Sequence, residues 1–69
     1  MKHDLDLTNS EIREAIDEYI HDAAVREILK DRLIDGMTVE RLAEKHGYSP
    51  RHIKRIVYKG IDRLFAKLS

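Results

Sequence analysis

The 69-residue chain is predicted to be all-α, a compact four-helix domain. Apolar residues recur at three- and four-residue spacing in four separate stretches, the period of an amphipathic helix. Each stretch follows a residue suited to cap a helix, namely Thr8, Asp22, Thr38 and Ser49. No stretch carries a strand pattern, and there is no repeat, linker or low-complexity tract.

The first helix starts after Thr8, where Thr8 and Glu11 form a capping-box pair three residues apart. Ile12, Ala15, Ile16 and Tyr19 make its inner stripe, and Glu11, Glu14, Asp17 and Glu18 make an acidic outer face. Residues 1–8 are expected to be a polar tail, and residues 9–69 a single domain. The second helix takes Asp22 as its N-cap and a stripe of Val25, Ile28, Leu29 and Leu33, with Gly36 placed to end it in the left-handed conformation. Ile34 falls off that stripe.

Thr38 caps a short third helix, expected over about 39–46, with Val39, Leu42 and Ala43 inward and Gly47 at its end. The fourth begins with Ser49 as cap and Pro50 at its first position, where a missing N–H costs nothing. Its stripe of Ile53, Ile56, Val57, Ile61, Leu64, Phe65 and Leu68 carries it over about 50–68, a length of roughly 28 Å. Gly60 falls on this stripe, which suits a close backbone approach or a kink.

The formal net charge is zero, but the halves of the chain differ. Residues 1–35 hold five Lys/Arg against ten Asp/Glu, and residues 36–69 hold eight against three. A cancelled total therefore leaves room for one basic and one acidic face. The longest apolar runs are too short to span a membrane, and the first ten residues, MKHDLDLTNS, do not read as a secretory signal. Without cysteine the core must rest on packed aliphatic side chains, which fits a reducing cytoplasm.

Enzyme and metal chemistry find little to work with. His46 and His52 could approach each other across a turn, but no cysteine or well-placed carboxylate joins them to complete a zinc site. Glu14 and Glu18 lie one turn apart without an apolar setting to split their pKa values, and no Gly-rich phosphate loop occurs. The expectation is a non-enzyme with no cofactor.

The stretch VERLAEKHGYSPRHIKRIVY, residues 39–58, joins a short helix to a long one through a turn containing glycine. Ala43 stands where the helices would cross closely, Gly47 follows in the turn, and Leu42, Tyr48, Ile53 and Ile56 occupy inward positions. This spacing closely resembles the motif of helix-turn-helix DNA-binding proteins. One departure is His46, where that family usually has leucine; a partly buried histidine there implies a looser elbow. Over residues 22–68 the chain also resembles region four of bacterial sigma factors, on Thr38, Glu40, Leu42 and Ala43 of the scaffold helix and Ser49, Ile53 and Lys54 of the recognition helix. The rest of a sigma factor is absent, so the resemblance implies a stand-alone regulator, of bacterial or phage type. LuxR-type output domains share the pattern but usually add a further short helix.

Successive helical residues turn by about 100°, so with Ile53, Ile56 and Val57 inward, Arg51, Arg55, Tyr58 and Asp62 point away from the core. Arg51, Arg55 and Tyr58 are the expected base readers: arginine pairs bidentately with guanine, and Tyr58 offers a ring to thymine methyl. His52, Lys54 and Lys59 flank them and are expected on the phosphates, with Ser49 at the helix start. The resemblance adds Thr38, Arg41 and Lys45 of the scaffold helix as phosphate anchors, through its N-terminal N–H groups and dipole. For Arg41 an ion pair within its helix or with Asp35 is the open alternative.

The function expected is a small sequence-specific regulator of transcription that binds double-stranded DNA. The alternative is a protein-interaction module, docking RNA polymerase or imitating DNA, that works through the acidic first helix with Ile20 and Ile34 as exposed apolar anchors. A homodimer is expected to form through Leu64, Phe65 and Leu68, or through Ile20 with Ile34; the competing arrangement packs these residues within one monomer.

Overall fold

The computed structural model describes residues 8–68, and the side chain of Leu68 lies outside that description. The polar-tail expectation for residues 1–7 and the place of Leu68 on the inner stripe therefore fall outside the described residues. Four helices follow in order: α1 (Asn9–Tyr19), α2 (Ala23–Leu33), α3 (Val39–His46) and α4 (Pro50–Leu68). No strand occurs among the described residues.

Each helix begins where its local chemistry directs. The Thr8 hydroxyl accepts from the Glu11 N–H at 3.2 Å, and the Glu11 carboxylate accepts from the Thr8 N–H at 2.9 Å, completing the capping box. Asp22 Oδ1 accepts from the N–H groups of Ala24 and Val25, at 2.9 and 3.2 Å. Thr38 Oγ1 accepts from Arg41 N–H, and Ser49 Oγ from His52 N–H, each at 3.2 Å. Helix ends are equally local. Gly47 ends α3 with φ +77°, and its N–H and that of Tyr48 both donate to the Ala43 carbonyl, at 2.9 and 3.0 Å. Gly36, with φ +73°, turns the chain beyond α2, so that Met37 N–H reaches the Asp31 carbonyl at 3.1 Å.

Two apolar clusters make the core, and α2 and α4 belong to both. Ala15 and Ile16 of α1, Ile20, Leu29 and Leu64 form one; Ile28, Leu42, Ala43, Ile53 and Val57 form the other. Adjacent residues of α2, Leu29 and Ile28, thus point into different clusters, and both are fully buried. The first half of α4 rests on α3 and the second half on α1.

Gly60 lies where α4 meets α2: a Cβ on it would stand 2.6 Å from a Leu29 methyl carbon. The glycine serves the close approach that its stripe position suggests. Between α1 and α2, Lys30 Nζ lies 2.8 Å from Asp17 Oδ1. That hydrogen bond is the main influence holding the Asp17 carboxyl below its usual pKa.

The apolar residues named as docking or dimer contacts divide between the core and the surface. Ile20, one residue past the end of α1, is not an exposed anchor but is 5% exposed inside the first cluster, because the extended chain there turns it under α1. Leu64 is 2% exposed in the same cluster and has no surface to lend to a second copy. Phe65, one residue on, is rotated off the stripe and stands 40% exposed. Ile34 is half-buried at the end of α2. The competing intramolecular packing therefore accounts for Leu64 and Ile20.

Candidate nucleic-acid interface

Helices α3 and α4, of eight and nineteen residues, are joined by residues 47–49. The positive φ of Gly47 reverses the chain, and the hydroxyl of Ser49 then starts α4. Leu42 and Ala43 pack against Ile53 and Val57, with Tyr48 and Ile56 at the edge of the same cluster. Ala43 is 7% exposed, so the helices meet over a buried methyl group.

This packing turns one face of α4 inward and presents the other. Arg51, His52, Lys54, Arg55, Tyr58 and Lys59 are all exposed, Tyr58 by 68%. Among the described residues the side chains of Arg51, Lys54, Arg55, Tyr58 and Lys59 form no hydrogen bond or ion pair. The ring of His52 lies against that of Tyr48, with centroids 4.8 Å apart, which leaves only part of the imidazole open.

On α3, Thr38 caps the helix and Arg41 is exposed. Neither the ion pair of Arg41 with Asp35 nor one within its own helix forms among the described residues. Lys45, expected as a phosphate anchor, also has a partner within the chain. Its ammonium is held by Asp31 of α2, with Nζ 2.8 Å from Oδ2.

Asp31 is the residue that sequence reasoning missed. It is 8% exposed, and its Oδ2 also accepts from His46 Nε2 at 3.1 Å. Burial pushes the Asp31 carboxyl upward, but the hydrogen bonds from Lys45 and His46 outweigh it and leave the pKa below the ordinary value. The same bond from Asp31 holds the Lys45 ammonium above its usual range. His46, the departure from the helix-turn-helix pattern, is partly buried as expected and has a partner in Asp31. With its side chain 12% exposed, it ties the end of α3 to α2. The signal in the sequence was faint: an acid on α2 beside a buried stripe, fourteen and fifteen residues before its partners.

Other surfaces are plainer. The carboxylates of Glu11, Glu14 and Glu18 lie on exposed residues of α1, but the buried Ile20 gives them no apolar anchor. An open cleft of about 320 Å³ lies between the α1–α2 corner and α4, with Ile20, Val25, Ile56 and Gly60 in its wall and Lys59 and Arg63 at its edge. No helix among the described residues is long and apolar enough to cross a membrane. No family model matches the chain, and neither a curated protein nor a solved structure matches it.

Proposed function

We propose that the chain is a small sequence-specific regulator of transcription that binds double-stranded DNA, with α3 as scaffold and α4 as recognition helix of a helix-turn-helix. The observation that carries this reading is the outward face of α4, where Arg51, Arg55 and Tyr58 stand exposed and uncommitted on a helix anchored from behind by α3. Arg51 and Arg55 are one turn apart, so both guanidinium groups can address base edges in one major groove. Lys54 and Lys59 flank them for the phosphates, and Ser49, His52, Thr38 and Arg41 add contacts at the two helix N-termini. Lys45, half-exposed and paired with Asp31, completes the scaffold-helix contacts of this proposal. RNA polymerase is the further partner that the resemblance to sigma region four adds to this proposal. The acidic-module alternative is weaker without an exposed Ile20.

A fluorescence-anisotropy titration against mixed-sequence duplex DNA at low salt tests the proposal. Binding in the micromolar range or tighter supports it, and no binding at about 100 μM protein, the weak limit of non-specific association, overturns it.

A further inference from the structure

Beyond the base-reading face, α4 carries a row of cations that runs nearly its whole length: Arg51, Arg55, Lys59, Arg63 and Lys67, each four residues from the last and all exposed. Four residues rise 6 Å and advance by 400°, so each step shifts the row about 40° around the helix. From Arg51 to Lys67 the row climbs about 24 Å and swings through about 160°. It starts on the face opposite the core and passes, at Lys59 and Arg63, the flank that looks toward the α1–α2 corner.

The structure shows the later cations gathered on one surface. Lys59, Arg63 and Lys67 line a shallow groove with Asp62 and the small side chain of Ala66. Lys59 and Arg63 also border the cleft beside Ile20 and His21. Among the described residues neither Arg63 nor Lys67 forms an ion pair or hydrogen bond through its side chain. The nearby Asp22 carboxylate is occupied by the N–H groups of Ala24 and Val25, which leaves Asp62 as the one acid lining the groove among the described residues.

We infer that Lys59, Arg63 and Lys67 form a phosphate-contact surface separate from the base-reading face, so that the second half of α4 follows one DNA strand out of the groove. The inference rests on the DNA-binding reading above. A recognition helix contacts base edges through its N-terminal residues. Later turns, about 12 to 24 Å further along the axis, leave the floor of a groove only about 12 Å wide and face the sugar-phosphate wall. Lys59 and Arg63, turned about 80° and 120° from Arg51, stand sideways toward that wall as the helix emerges, and Lys67 lines the same groove. Phosphate contacts of this kind fix position without reading sequence.

The test compares the intact chain with the double variant Arg63→Ala/Lys67→Ala, titrated against one selected and one random duplex at several salt concentrations. Both side chains are exposed, and circular dichroism with the melting temperature checks that the fold is kept. The expected result is a plot of log K against log salt that is shallower by about 2 for the variant, with equal losses on both duplexes. If the intact chain binds DNA and the variant shows the same slope, the inference falls while the DNA reading stands. If the variant loses affinity only on the selected duplex, the two cations read bases and the inference falls as well. If the intact chain binds polyglutamate but no duplex, both fall, and the surface belongs to an acidic protein partner.

Discussion

The side chain of Leu29 occupies the space that a Cβ on Gly60 would need, with its two methyl carbons 2.6 and 2.8 Å from that position. Leu29 is fully buried in the first apolar cluster and cannot swing aside without displacing its neighbours. Gly60→Ala would gain about 1 kcal/mol of helix propensity and lose about 1–3 kcal/mol to overpacking. We predict a net loss of up to about 2 kcal/mol, and a smaller penalty for the same change made in a Leu29→Ala background. A melting temperature equal to or above that of the parent would show that the two helices have slack at this point.

The Asp31 clasp predicts a pH dependence. Its carboxyl has a folded pKa below the ordinary 3.8, so the unfolded chain binds the proton more readily. The stability it contributes is complete above about pH 4 and is lost as pH falls through 3.8 toward the lowered folded value. Asp31→Asn should therefore cost about 1–2 kcal/mol at neutral pH, and its melting temperature should fall less steeply in acid than that of the parent. For Lys45 the sign is opposite. Its raised pKa makes its contribution complete below 10.5 and lost as pH climbs past the folded value. Parallel acid limbs for parent and variant would contradict the pairing.

Gly47 holds φ at +77° with nothing within 4 Å of where a Cβ would stand, so substitution there meets backbone strain alone. Gly47→Ala should cost about 1–2 kcal/mol, and Gly47→Asn clearly less, since asparagine tolerates the left-handed region. Equal penalties for the two would point to crowding instead.

On the recognition face, Arg55→Ala should cost roughly 1–3 kcal/mol at a selected site and relax preference at one base pair. Lys54→Ala should weaken selected and random duplexes alike. An equal loss on both duplexes for the arginine variant would remove Arg55 from the base readers.

Ile20 and Leu64 lie inside the first cluster, so among the described residues expected to hold a dimer only Phe65 and, in part, Ile34 keep open surface. Sedimentation equilibrium at tens of micromolar should return a mass near the 8.1 kDa of one chain. Twice that mass would point to an interface on the exposed Phe65.

What the sequence made legible was local chemistry. The caps at Thr8, Asp22, Thr38 and Ser49 act within three residues, and the left-handed turns at Gly36 and Gly47 act within one, so their signals survive without a tertiary structure. The long-range placements did not. Ile20 follows the end of α1, where helical spacing no longer says which way a side chain points, and only the packing of Leu29 and Leu64 decides it. Asp31 reads as one more acid in an acid-rich half until α3 brings Lys45 and His46 against it. On α4 the outward residues nearest the turn were readable from their angle to the core. Arg63 and Lys67 were not, because they lie on the flank, and their significance depends on the α1–α2 corner standing beside it.

Asp31 also has a bearing on uniqueness. A short helix with a small apolar face, such as α3, could slide by a turn along α2 and still bury Leu42 or Val39. Any such shift would leave the carboxylate of Asp31 without its partners, a state poorer than the native one by about 1–3 kcal/mol. The clasp thus acts less as glue than as an index mark that fixes the register of α3, and through it the angle at which α4 is held. A chain with Asp31, Lys45 and His46 all replaced by well-packed apolar residues should melt at the same temperature or higher, yet show broadened amide resonances along α3 as neighbouring registers become populated.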